Sequence, residues 1–275
     1  MIPTLLISLG ALSPVSLEAE PVNPAAVVTP LQEEAQDPRS RYAQAASARD
    51  AQALRALFTE QPGLILFLFD GDLEGSLSVW EDAAGEPDPE ALARIAELHG
   101  RALFAARMAT EVTGRPIFVD YATSFVGWND EQKRSFRGGQ KAFGQAREAL
   151  QGQNFERALA HAVECRERAM PLGDWWGSAM GLDAEANALA ALDRMDEALM
   201  AASQARLLWN QLGLAGNEIR SLLLMADASE TLERPHRAHA SVVAALALMK
   251  ADDPNRAAVE AHRDALAEQL GSQGE

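Results

Sequence analysis

Cysteine, aromatic side chains and positive charge are scarce in this sequence of 275 residues. Its single cysteine, Cys165, excludes an internal disulfide and has no second cysteine or nearby histidine at the spacing of a zinc site. On an alanine-rich helical face it is expected to pack as a small apolar side chain. Only 24 lysines and arginines oppose 40 aspartates and glutamates, which gives a formal net charge of -16. Because an acidic surface repels phosphate groups, we expect no nucleic-acid partner.

Long apolar runs and catalytic motifs are also missing. No run reaches the roughly 20 apolar residues that cross a bilayer, so we expect no integral membrane segment. The sequence has no glycine-rich phosphate loop, no Gly-x-Ser-x-Gly elbow and no His-Glu-x-x-His pair. His236 and His239 lie three residues apart, but no third ligand at a helical spacing completes a metal site. We therefore predict no catalytic residue, no cofactor and no metal ion.

What the sequence does contain favours helices. Hydrophobic residues make up 48% of it, which is enough for a sizeable core in a chain of this length. Alanine and leucine dominate this fraction, and both suit close-packed helices. The composition predicts an all-α fold.

Residues 1–38 differ from the rest of the chain. An apolar stretch from Ile2 to Leu12 precedes a small residue, Ala19, as in a cleaved secretory signal, yet no lysine or arginine comes before Arg39. Prolines and acidic residues follow, a composition typical of an extended linker. We interpret residues 1–38 as a candidate signal segment and a Pro-rich acidic linker. The sequence is compatible with a cytoplasmic and with an exported protein.

Residues 39–137 are expected to form an N-terminal helical region, because apolar residues recur there at three- and four-residue steps. Asp88, Pro89 and Glu90 are a strong start signal, with an N-cap carboxylate, a proline at the first helical position and an acid in the first turn. The predicted boundaries are a helix ending at Pro62, a long helix from Pro89 to about Gly114, and a short helix from Pro116 to about Val126.

The segment from Gly63 to Trp80 is the most apolar part of this region and fits a buried strand or a fully buried helix. We predict a helix, because nothing else shows the period-two alternation that a partner strand needs. Within it, Asp70-Gly71-Asp72 superficially resembles the nucleophile loop of haloacid-dehalogenase-type phosphatases, but the Gly and Thr that must follow that motif are absent. Since Asp and Gly favour turns, we predict a polar break between two helical segments here.

The C-terminal half repeats with a period of 40 residues, which indicates repeated structural units. Equivalent segments begin at Phe155, Met195 and Pro235. Small residues keep the same register, in three columns: Ala146, Ala186 and Ala226; Ala162, Ala202 and Val242; Cys165, Ala205 and Ala245. We predict helical hairpins whose second helix begins at Phe155, Met195 or Pro235 and is closed, in the first two units, by Gly173 or Gly213.

The start of each second helix, such as Phe155 to Leu159, resembles the tetratricopeptide (TPR) motif. The likeness covers Gly138 to Asn255, and Leu172 to Ala179 resembles the longer-period variety of bacterial and kinesin-light-chain-type arrays. The usual period is about 34 residues, and the third unit has Pro235 where the motif has an aromatic residue. The resemblance implies antiparallel hairpins stacked as a short TPR-like solenoid over 138–271. Its units would be about 138–175, 176–215 and 216–255, followed by a C-terminal helix.

In TPR-like arrays the first helix of each hairpin lines a groove that binds an extended peptide or a helix. The resemblance therefore implies a scaffold that is not an enzyme and that binds a protein or peptide partner. The implied groove residues are Gln140, Arg147, Asp183, Asn187, Arg220, Asp227 and Glu230. Two other functions stay open: a regulatory sensor that responds to a ligand or peptide, and an enzyme that uses the 39–127 region.

Overall fold

Twelve α-helices and two short 3₁₀ turns make up the secondary structure of residues 37–272, the part of the chain that the computed structural model describes. This part contains no β-strand, so the predicted all-α class is confirmed. The candidate signal segment and most of the predicted linker lie outside the described residues. No helix in the described range is long and apolar enough to cross a membrane.

The N-terminal region forms five helices, and side-chain caps begin three of them. The carboxylates of Asp37, Asp50 and Asp88 accept backbone N–H groups at the starts of the first, second and fourth helices. The predicted helix through the apolar segment is confirmed. The helices are α1 (Pro38–Ala48), α2 (Ala51–Glu60), α3 (Ile65–Asp82), α4 (Pro89–Thr113) and α5 (Ile117–Val126).

The predicted polar break at Asp70-Gly71-Asp72 is wrong, because α3 runs through these residues without interruption. Asp and Gly favour turns, but hydrogen bonds from distant residues to both carboxylates stabilise the helix here. Asp70 accepts a hydrogen bond from the Tyr121 hydroxyl, and Asp72 accepts one from the Tyr42 hydroxyl. A helix with satisfied polar groups can bury its apolar residues on both sides of this point.

The C-terminal half consists of helical hairpins that pack consecutively along the chain. The second helices begin at Phe155, Met195 and Pro235, as the repeat predicts. The first helix of the first hairpin begins at Asp130, so the predicted start of the repeats at residue 138 lies inside it. The helices are α6 (Asp130–Gln151), α7 (Phe155–Ala169), α8 (Trp175–Ala191), α9 (Met195–Leu212), α10 (Ala215–Thr231), α11 (Pro235–Leu248) and α12 (Arg256–Ser272).

The turn inside each hairpin has the same backbone conformation. Gln153, Asp193 and Glu233 all have a positive φ, of 55°, 60° and 55°. The residue after each of them donates its N–H to the carbonyl five residues earlier: Asn154 to Ala149 at 2.8 Å, Arg194 to Leu189 at 2.9 Å, and Arg234 to Ser229 at 2.8 Å. This left-handed closure of a helix end recurs every 40 residues. The period in the sequence is therefore also a period in the backbone.

One large core joins the N-terminal region to the first two hairpins. Phe69 and Tyr121 belong to the same buried cluster as Leu182, Trp209 and Leu212. The small residues in the repeated columns are buried as predicted, and Ala186 has no exposed surface. Close contact between helices at these positions leaves room only for small side chains.

Candidate functional site

A cavity of about 150 Å³ lies where α3 and α5 meet the first hairpin and the start of α8. We call it the acidic cavity, because three carboxylates and no lysine, arginine or histidine line it. Its lining residues are Asp70, Glu74, Tyr121, Phe136, Gly139, Gln140, Cys165, Ala169, Asp174, Trp176, Gly177 and Met180. Asp70, Glu74, Gln140, Trp176 and Met180 are partly exposed, and the other lining residues are buried.

Helix α3 contributes two carboxylates one turn apart on the same face. The Tyr121 hydroxyl donates a hydrogen bond of 2.6 Å to Oδ1 of Asp70. Glu74 is held from the other side, by an ion pair of 2.6 Å with Nη1 of Arg137 and a hydrogen bond of 2.6 Å from Nε2 of Gln140. Glu74 therefore has a cationic partner within reach, and the Asp70 carboxylate has only a hydroxyl.

The third carboxylate comes from the loop between α7 and α8. Asp174 caps α8, with Oδ1 accepting the Gly177 N–H at 2.8 Å. Gly173 just before it has a φ of 67°, a left-handed conformation that glycine adopts without strain. The Trp128 indole fixes this loop by donating a hydrogen bond of 2.9 Å to the carbonyl of Leu172. Asp174 is held in place at 5% exposure with no cationic partner among the described residues.

Burial gives two of these carboxyl groups an unusual pKa. Loss of water raises the pKa of Asp70 to about 7, against the hydrogen bond from Tyr121, and the charge of Glu74 adds to the rise. Loss of water raises the pKa of Asp174 to about 7 as well. The charge of Arg137 lowers the pKa of Asp70, but its guanidinium pairs with Glu74 and Glu81, each at 2.6 Å. Near pH 7 both carboxyl groups are therefore partly protonated, and neither forms an ion pair among the described residues.

Aromatic and sulfur-containing side chains form the remaining walls. Trp176 packs edge to face against Phe67, with ring centroids 4.8 Å apart. Phe136 and Tyr121 contribute buried rings, and Met180 lies beside Trp176 on α8. The cavity thus combines acidic groups with apolar walls, which is the composition of a site for an organic ligand.

Cys165 lines this cavity, although the sequence predicts only a packing role for it. Its thiol donates to the Gly177 carbonyl at 3.6 Å, and the residue is 1% exposed. Burial raises the pKa of the thiol to about 12, so very little reactive thiolate forms at neutral pH. The predicted apolar packing of this residue agrees with its burial.

We expect Cys165 to react slowly with iodoacetamide in the native protein. Because both burial and the raised pKa suppress the thiolate, alkylation at pH 8 should be at least about tenfold slower than in urea. Mass spectrometry over time gives both rates, and since the chain has one cysteine each modified molecule reports this site. Equal rates in the two conditions would contradict the buried position.

The seven implied groove residues all lie on first helices, α6, α8 and α10, as predicted. Arg147, Asn187, Arg220, Asp227 and Glu230 are exposed, and Gln140 and Asp183 are partly buried. The Ser221 hydroxyl joins α10 to α8 through a hydrogen bond of 3.3 Å to Asp183. Gln140 is an implied groove residue that also lines the acidic cavity.

Asp70 and Asp72, which the phosphatase-like pattern pairs, point to different surroundings. Asp72 is buried and forms an ion pair of 3.0 Å with Arg101, together with the hydrogen bond of 2.7 Å from Tyr42. These contacts tie α1, α3 and α4 together. Asp72 is therefore satisfied by the fold, and only Asp70 faces a cavity.

A second cluster, at the C-terminal end, combines two implied groove residues with a histidine from α12. One ligand atom from each of Asp227, Glu230 and His262 lies within 4.8 Å of the others. The His262 ring and Glu230 form a contact of 2.5 Å. The sequence did not predict this cluster, because His262 lies 32 residues from Glu230 and only the fold brings them together. Exposed acidic groups of this kind form ordinary surface ion pairs, so the cluster by itself indicates no ligand.

Sequence reasoning did not find the acidic cavity. The one local signal was the i, i+4 pair of Asp70 and Glu74 inside an apolar run, where buried carboxylates are unusual. Nothing in the sequence places Asp174 beside them. Comparisons of the chain with protein-family models, with curated proteins and with solved structures found no match.

Proposed function

We propose that this protein is a binding scaffold whose partner, a peptide or a helix, lies across the first helices of the hairpins, as in a short TPR-like solenoid. The observation that carries the proposal is a row of exposed residues on neighbouring first helices. Arg147, Asn187 and Asp227 are exposed, and each follows an alanine that is fully buried. The buried alanines hold the helices together and leave the next residue of each helix facing outward.

Helix packing supports a curved stack. Helix α6 contacts α8, and α8 contacts α10, so the first helices of successive hairpins touch one another. The second helices α7, α9 and α11 touch one another less. When one row of helices is more closely spaced than the other, the stack curves toward the close row, and the first helices would then form its inner surface.

Peptide selection with the full-length chain tests this proposal. Random peptides displayed on phage would be selected on the purified protein and their affinities measured on single variants. We expect Arg147→Ala, Asn187→Ala and Arg220→Ala each to weaken binding about fivefold or more. Their melting should change little, because substitutions at exposed positions usually stay within roughly ±0.5 kcal/mol.

Two sets of control variants separate binding from stability. Arg237→Ala and Gln204→Ala remove similar exposed side chains from the second helices α11 and α9, and they should bind the selected peptides like wild type. Ala186→Leu and Ala198→Leu instead enlarge residues with no exposed surface, and overpacking of this kind costs about 1 to 3 kcal/mol. If the first-helix variants bind like wild type while substitutions in 39–127 abolish binding, the proposed surface is wrong.

A further inference from the structure

The acidic cavity contains two carboxyl groups that lack a cationic partner among the described residues. Asp70 lies on α3 and Asp174 at the N-cap of α8, and neither forms an ion pair among the described residues. Arg137 is paired with Glu74 and Glu81 instead. Each group accepts its hydrogen bond from a neutral donor, and loss of water disfavours its charged form, so a ligand that carries positive charge would stabilise the two carboxylates.

The walls indicate which kind of cation fits. Trp176, Phe136 and Tyr121 present aromatic rings, and aromatic faces attract organic cations while their apolar surface packs against alkyl chains. A cavity of about 150 Å³ is large enough for a ligand the size of benzene. The cavity could therefore hold a short alkyl chain as well as a charged group.

A metal ion fits less well than an organic cation. The only described group of three acidic, histidine or cysteine residues with ligand atoms within 4.8 Å of one another is the Asp227 cluster at the other end of the chain. The carboxylates of Asp70, Glu74 and Asp174 are therefore not gathered at that spacing. A hard metal ion needs several oxygen ligands converging on one point.

We propose that the acidic cavity binds a primary alkylammonium group, with Asp70 and Asp174 as its counter-ions and Trp176 beside its alkyl chain. An ammonium group offers three donors that diverge in direction, which suits two carboxylates placed on different helices. The cavity shares Gln140 with the implied groove residues, but small amines test it without any peptide partner.

The experiment compares n-butylammonium with 1-butanol, which has the same alkyl chain and no charge. Saturation-transfer NMR on the full-length protein at pH 8 and constant ionic strength gives both affinities. We expect n-butylammonium to bind at least about tenfold more tightly, because a pairing of charges in a desolvated site exceeds the alkyl contribution that the two ligands share.

Two single variants on opposite walls locate the binding. Asp70→Asn and Asp174→Asn should each weaken n-butylammonium about tenfold and leave 1-butanol nearly unchanged. Asparagine keeps the size of the side chain at both positions and is a good N-cap residue at Asp174, so both variants should fold, as melting curves will verify. The matched control is Asp88→Asn, which makes the same change at an exposed N-cap and should bind n-butylammonium like wild type.

Two natural sources share this chemistry, a lysine side chain of a protein and a free polyamine. Titration with Nα-acetyl-lysine N-methylamide and with spermidine distinguishes them, since tighter binding of one identifies the source and both outcomes support the site. The proposal is overturned if 1-butanol binds as tightly as n-butylammonium, if neither aspartate variant weakens the amine, or if wild type shows no binding up to about 100 mM. None of these results bears on the peptides selected with the first-helix surface.

Discussion

Gly181→Ala is expected to lower the melting temperature of this protein by roughly 5 °C, although alanine is the better helix former. Gly181 lies in the interior of α8, and a Cβ atom there would come within 2.8 Å of the backbone nitrogen of Arg166 on α7 and 3.1 Å of its Cα. Backbone atoms cannot rotate away, so α7 and α8 would have to separate. Overpacking of this kind costs about 1 to 3 kcal/mol, which exceeds the helix preference of about 1 kcal/mol.

The matched control is Gly144→Ala in α6. Gly144 also lies inside a helix, but a Cβ atom there would meet nothing within 4 Å. The substitution should therefore stabilise the protein by about 0.5 to 1 kcal/mol, because only the preference of the helix for alanine changes. Thermal denaturation followed by circular dichroism measures both variants. If Gly181→Ala also raised the melting temperature, α7 and α8 would not be packed as closely as the structure places them.

Asp174→Asn is expected to stabilise the protein at pH 8 and to have little effect at pH 4. The pKa of Asp174 is about 7 in the folded protein and 3.8 ordinarily, a difference equivalent to on the order of 4 kcal/mol. Between these two pH values the native carboxyl keeps a proton that the unfolded chain has released. The native protein therefore has the full stabilisation from Asp174 below pH 3.8, where the carboxyl is protonated. This stabilisation is lost as the pH rises through 7 and the buried carboxyl ionises.

In Asp174→Asn the side chain cannot ionise, so this loss of stability does not occur. In wild type the free energy of unfolding should fall between pH 4 and pH 8, and in Asp174→Asn the fall should be smaller. Asp70 lines the same cavity and also has a raised pKa, so it contributes to the slope that remains in the variant. Urea denaturation at a series of pH values gives the two profiles.

Asp88→Asn serves again as the control, because it makes the same substitution at an exposed N-cap that does not line the cavity. The change in slope of Asp174→Asn is measured against the profile of this variant. Parallel profiles for Asp174→Asn and wild type would mean that Asp174 is ionised in the native protein as readily as in the unfolded chain. In that case a bound cation or an altered loop would have to be compensating its charge.

Local signals predicted most of the helices. The start of α4 followed from Asp88 and Pro89, and the starts of α7, α9 and α11 followed from the 40-residue register. Caps, prolines and glycines act on the residues next to them, so they can be recognised without knowing the rest of the fold. The same kind of local reasoning failed at Asp70-Gly71-Asp72, where Tyr42, Tyr121 and Arg101 stabilise helix against a turn preference.

The acidic cavity, in contrast, was decided by the tertiary structure. The sequence by itself determined that the chain is helical and where its hairpins turn, because periodicity and capping are properties of neighbouring residues. It did not determine that α3 lies beside the start of α8, which brings Asp70 and Glu74 next to Asp174. That arrangement depends on a core shared by Phe69, Trp209 and other residues distant in the sequence. The pKa of each carboxyl group depends in turn on the water that this packing removes.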